Sequence, residues 1–215
     1  MRWAAGLLVL LGLALAQNPR AILNEVQQRL NQSPWESLVQ GEIRFPGQGL
    51  QTTVFLLRVI PGQKPFIRLD FQKPGSLEGN FLLVTPKEVW NYLYLTNQVV
   101  IQPLARGSFQ GLSLNPALFS NFQNLAQQIE LRLDGSIQTS QGPAWRIVGT
   151  NANPSLGFAH LIVLILERSL QPFSITFTDS SGKVLLDLHF THFQRADLTP
   201  SLLERYPPDA QVLHR

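Results

Sequence analysis

Thr52-Thr53-Val54-Phe55-Leu56-Leu57-Arg58-Val59-Ile60, the break Pro61-Gly62, and Pro65-Phe66-Ile67-Arg68-Leu69-Asp70-Phe71-Gln72 together decide the fold class. Phe55, Leu57 and Val59 alternate with Val54, Leu56 and Arg58, and Ile67, Leu69 and Phe71 alternate with Phe66, Arg68 and Asp70. Side chains in a strand alternate between faces, so each first set shares one side. Both first sets are wholly apolar and are expected to face inward. Arg58 and Arg68 then stand on the other face, either as ordinary solvated charges or as donors to lid carbonyls at an opening.

Working outward, the same pattern of short apolar runs broken by Gly and Pro continues in both directions. Strands are predicted over Glu36–Phe45, Thr52–Ile60, Pro65–Gln72, Gly79–Thr85, Val89–Leu95 and Gln98–Leu104. They resume over Ile129–Leu133, Ala144–Thr150, Phe158–Leu166, Phe173–Thr178, Val184–Phe193 and Ala210–Leu213. Asp134-Gly135 and the stretch from Asp179 to Gly182 read as turns. Short turns join antiparallel neighbours, so the strands form a meander.

Two helices flank or interrupt this series. Asn18-Pro19 opens one, with proline where its missing N–H costs little, and Ile22, Leu23, Val26 and Leu30 line one face. The second carries Leu118, Phe119, Phe122, Leu125, Ala126 and Ile129 in a wide apolar stripe. That stripe belongs either to a packed core helix or to a movable lid. The expected fold class is α+β: one long antiparallel sheet that twists and curls. Helices fill part of its hollow side, and a ligand could fill the rest.

Leu161-Ile162-Val163-Leu164-Ile165-Leu166 has no polar face. It is either a central strand covered on both sides or a strand with one face, through Ile162 and Leu164, toward a cavity.

The N-terminus reads as an export signal. Arg2 precedes an apolar stretch from Trp3 to Leu15, and Ala14-Leu15-Ala16 offers the small residues that a signal peptidase recognises. The expectation is a cleaved signal at residues 1–16 and a single domain over 17–215, released across the inner membrane without a lipid anchor. The chain contains no cysteine, so this fold must stand on its apolar core without disulfides. Only 14% of residues are charged against a usual value of about 25%, and the net charge is +3. That balance is too small for a nucleic-acid footprint.

The search for chemistry returns little. There is no G-x-S-x-G, and Ser180-Ser181-Gly182-Lys183 lacks the upstream glycine of a phosphate loop. His189 and His192 are three apart in a predicted strand, which alternation places on opposite faces. No catalytic residue, metal site or cofactor is assigned, and an enzyme is not expected.

With these elements placed, the chain resembles the periplasmic outer-membrane lipoprotein carrier family, LolA, and the wider lipoprotein-sorting group. The segment from Pro65 to Pro74 is similar to the family's proline, aromatic, strand, proline stretch. Gly79-Asn80-Phe81-Leu82-Leu83-Val84 and Val89-Trp90-Asn91-Tyr92-Leu93-Tyr94 resemble its strand pair with a Trp-x-Tyr-like centre. Tyr206-Pro207-Pro208-Asp209-Ala210-Gln211-Val212 resembles its closing turn and strand.

The resemblance implies an open, incomplete β-barrel covered by helices. It also implies a monomeric periplasmic carrier of lipoprotein acyl chains, or of another lipid, working between an inner-membrane release complex and an outer-membrane acceptor. The implied cavity residues are Phe55, Leu57, Val59, Ile67, Leu69, Phe71, Trp90, Ile162 and Leu164. The implied lid residues are Leu118, Phe119, Phe122, Leu125 and Ile129, with Arg58 and Arg68 as candidates for bonding the lid. The alternative is a non-catalytic sensing or regulatory domain of the same fold that binds a partner protein.

Overall fold

The computed structural model describes residues 18–45, 47–104, 127–152 and 157–215. The expected export signal lies outside the described residues, as do Leu118, Phe119, Phe122 and Leu125 of the expected lid.

Helix α1 (Pro19–Leu30) is capped by Asn18, whose side chain accepts from the Arg20 N–H. Six strands follow as an antiparallel meander: β1 (Trp35–Phe45), β2 (Gly49–Ile60), β3 (Phe66–Lys73), β4 (Phe81–Val84), β5 (Glu88–Leu93) and β6 (Gln98–Pro103). A second meander holds β7 (Glu130–Thr139), β8 (Gly142–Thr150), β9 (His160–Leu166), β10 (Pro172–Thr178) and β11 (Val184–Arg195). A short helix α2 (Pro200–Leu203) and β12 (Gln211–His214) close the chain.

The two meanders join where β1 pairs antiparallel with β11, giving one twelve-stranded sheet in the order β12-β6-β5-β4-β3-β2-β1-β11-β10-β9-β8-β7. β12 lies parallel to β6, and β7 and β12 are the two edges. The sheet is therefore an open, curled half-barrel, with helix added to a structure that is mostly strand.

Each face has its own apolar cluster. Ile22, Leu23, Val26 and Leu30 of α1 are buried against Phe55, Leu57 and Val59 of β2, Ile67, Leu69 and Phe71 of β3, and the matching residues of β9, β10 and β11. We call this the inner face. On the outer face Phe81, Leu83, Tyr92, Val99 and Ile101 pack beneath Leu198 and Leu203, so the chain after β11 crosses that side before reaching β12. Thr199 caps α2 by accepting from the Leu202 N–H, with Pro200 at the first helical position. Thr199→Ala is expected to lower stability by about 1 kcal/mol, read as a shift of the thermal midpoint.

Two local readings change. Asp134-Gly135 is not the turn after β7: the register with β8 slips between Leu133 and Ser136, and the hairpin turn falls at Ser140-Gln141. Gly135 has φ +98°, and a bulge of the glycine type uses the same positive φ as a tight hairpin turn, so Asp-Gly does not distinguish them. The alternation that separated His189 from His192 also fails. β11 carries an extra residue opposite Glu36–Leu38, with His192 at φ +51°, so Phe190 and Phe193, three apart, both reach the inner cluster.

Candidate functional site: an apolar inner face and a clamped outer face

The inner face owes its character to β2 and β3, whose paired residues Phe55↔Phe71, Leu57↔Leu69 and Val59↔Ile67 stack apolar side chains across the ladder. All six are buried, and the Phe55 and Phe71 rings lie 5.6 Å apart. Val39 and Ile43 on β1, Leu186, Leu188 and Phe190 on β11, Ile175 and Phe177 on β10, and Ile147 on β8 extend the field across the seam. Ile129, the one expected lid residue within the described segments, is buried in this cluster just before β7. Its carbonyl accepts from the Arg20 guanidinium, which ties α1 to the start of β7.

Three expected cavity residues lie elsewhere. Leu161, Val163 and Ile165 of β9 are the inner residues, and Ile162 and Leu164 point to the outer side, where they are half-buried. A run of six apolar residues carries no mark of parity, so the choice rested on tertiary pairing: Ile162 sits opposite Thr176, whose hydroxyl bonds Asp187. Trp90 is also on the outer face. Its Nε1 donates to Glu88 at 2.9 Å, and its ring meets Tyr206 edge-on at 6.0 Å. The inner residues of β5 are its neighbours Val89 and Asn91, with Leu82 of β4 opposite Asn91.

Among the described residues, the partners of both arginines lie on the outer face. Arg58 bridges Glu36 at 3.4 Å and Asp70 at 2.8 Å on the outer face. Arg68 is more enclosed, with a side chain 11% exposed. Its Nε donates to Asp70 at 2.9 Å, and one terminal nitrogen donates to the carbonyls of Leu203 at 2.5 Å and Arg205 at 2.7 Å. Its guanidinium lies 3.8 Å over the Phe81 ring. Burial lowers its pKa from the ordinary arginine value, and Asp70 pulls in the opposite sense. Arg68 is thus the clamp that holds the end of α2 on the sheet.

Clefts open on the described surface beside the clamp and, separately, at the end of α1. One of about 400 Å³ lies beside the clamp and is lined by Arg68, Phe81, Tyr92, Tyr94, Arg205 and Tyr206. The other, of about 430 Å³, lies at the end of α1 between Arg29, Ser169, Phe193 and Arg195. Among the described residues no group of three or more His, Asp or Glu side chains is placed to hold a metal ion, and no helix is long and apolar enough to cross a membrane.

An uncharacterized conserved protein from Thermus thermophilus has a solved structure that is 40% identical to this chain. The match covers 93% of this chain and 100% of the Thermus protein, with a TM-score of 0.67. The chain belongs to that protein's family. The family's sheet is shared more widely. The MucA/MucB complex of Pseudomonas aeruginosa matches at TM-score 0.55 with 15% identity, over 90% of this chain and 62% of that one. A domain assigned to outer membrane lipoprotein sorting in Vibrio parahaemolyticus matches at TM-score 0.50 with 11% identity, over 86% and 95%. The resemblance to lipoprotein-sorting proteins holds, at the level of the fold. No protein-family model and no curated protein matches the chain.

The sequence reading missed the clamp at α2 and the polar residues of the inner face, Asn91 and Trp35. Thr199-Pro200 was a readable cap, but nothing local tells that the segment it opens lies against Phe81 and Tyr92.

Proposed function

We propose that the chain is a non-catalytic carrier of the cell envelope. Residues 17–215, freed of the export signal, act as one periplasmic domain that holds lipoprotein acyl chains, or another lipid, against the inner face. Phe55, Leu57, Val59, Ile67, Leu69 and Phe71 form the centre of that surface. Cargo would pass from an inner-membrane release complex to an outer-membrane acceptor.

The observation that carries this reading is an apolar inner face continuous across both meanders in a sheet that does not close. Each buried CH₂ contributes about 0.8 kcal/mol, so an acyl chain laid on such a face is strongly held out of water. The fold shared with the lipoprotein-sorting domain from Vibrio agrees with the proposal. The same fold in the MucA/MucB complex motivates the second reading, a sensing domain that binds a partner protein.

Native mass spectrometry with lipid extraction separates the two, applied to mature protein purified from its own periplasm without detergent. The carrier reading expects co-purifying acyl species, or uptake of an added diacylated lipopeptide. A clean protein mass that takes up no lipopeptide, together with a stable protein partner in a pull-down, would overturn it in favour of the sensing domain.

A further inference from the structure

Among the described residues, three buried side-chain polar atoms lack a hydrogen-bond partner: Trp35 Nε1, Asn91 Oδ1 and Ser169 Oγ. Ser169 lies in the β9–β10 connection, but Asn91 and Trp35 belong to the inner face. Asn91 is 7% exposed and sits between Leu82 of β4 and Val100 of β6, with Val89 beside it on the same face. It does not satisfy Trp35, because β4, β3 and β2 lie between their strands. A buried polar group left unpaired is destabilising, and a leucine at this place would remove the penalty. Asn91 therefore weakens the folded chain while placing a hydrogen-bond acceptor within an apolar surface.

We propose that Asn91 is the polar anchor of the cargo site and sets its specificity. Its carboxamide oxygen accepts from an N–H or O–H carried next to an acyl chain, so the inner face selects acyl groups that bear a donor over acyl esters that have none. This inference rests on the carrier reading. It narrows that reading from lipids in general to N-acyl amides or hydroxyacyl lipids.

The test measures affinity of the mature protein for three probes of equal chain length: an N-palmitoyl peptide, 2-hydroxypalmitate methyl ester and palmitate methyl ester. Wild type is expected to bind at least one donor probe about tenfold tighter than the plain ester, the size of one net hydrogen bond. Whether the amide or the hydroxyl gains names the source of the donor. Asn91→Leu is expected to erase that preference, so that the donor probes bind no tighter than the plain ester, and to keep or raise the thermal midpoint. Should leucine misfit, Asn91→Ala is read for the same loss of preference.

A wild type that binds all three probes equally overturns this inference and leaves the carrier reading standing. So does a leucine variant that keeps the preference but melts earlier, since Asn91 is then structural. A wild type that binds none of the probes overturns both.

Discussion

Gly41→Ala is expected to cost at least about 3 kcal/mol and to lower the thermal midpoint by roughly 6–12 °C. A Cβ at this position would stand 1.9 Å from the carbonyl oxygen of Asp187, and 2.9 Å from the Asp187 carbonyl carbon and from Leu188 Cα. All three are backbone atoms, so no side chain can swing aside to make room. Gly41 lies opposite Leu188 on β11 and Thr53 on β2, in the middle of the seam that joins the two meanders. Any relief requires β1 to move off β11, which strains the neighbouring pairs Gln40↔His189 and Glu42↔Asp187. Gly75→Ala is the control, because nothing lies within 4 Å of a Cβ there, and its midpoint should stay close to wild type. If Gly41→Ala melted with Gly75→Ala, the close approach at the seam would not be a real constraint on the fold.

Arg68→Met is expected to cost about 2–4 kcal/mol and to release the C-terminal segment from the outer face. Methionine keeps apolar bulk against Phe81 but removes the ion pair with Asp70 and both donations to the carbonyls of Leu203 and Arg205. Charged hydrogen bonds contribute about 1.5–3 kcal/mol, and acceptors left buried add their own penalty. Asp70 retains Arg58, which limits the loss on that side. Arg68→Lys should recover only part of it, since an ammonium cannot reproduce the planar fork that serves a carboxylate and two carbonyls together. Amide hydrogen exchange is the informative readout: protection should fall at α2 and β12, while β1, β2 and β11 keep theirs. Unchanged protection at α2 would mean that Leu198 and Leu203 hold the segment by apolar contact alone.

The two variants separate what the chain encodes locally from what it encodes at a distance. Gly41 looks like any strand glycine in the sequence, and its role emerges only when Asp187, far along the chain, is brought against it. Arg68 was legible as an outward charge, but its partners are carbonyls contributed by residues more than a hundred positions later.

Sequence alone determined the class of structure: a helix opened by Asn18-Pro19, many short antiparallel strands, and a curled sheet with an apolar side. It also determined the parity of β2 and β3. Arg58, Arg68 and Asp70 recur with the strand period and mark the wet face, so Phe55, Leu57, Ile67, Leu69 and Phe71 fall inward by elimination. Where that mark was absent, parity was open. The six apolar residues of β9 and the aromatic-rich β5 read equally well either way. Only the tertiary structure turned Ile162, Leu164 and Trp90 outward. It did so because both faces of this sheet are covered in part, by α1 on one side and by the segment carrying Leu198, Leu203 and Tyr206 on the other. A large apolar side chain is then at home on either face, and hydrophobicity no longer tells inside from outside.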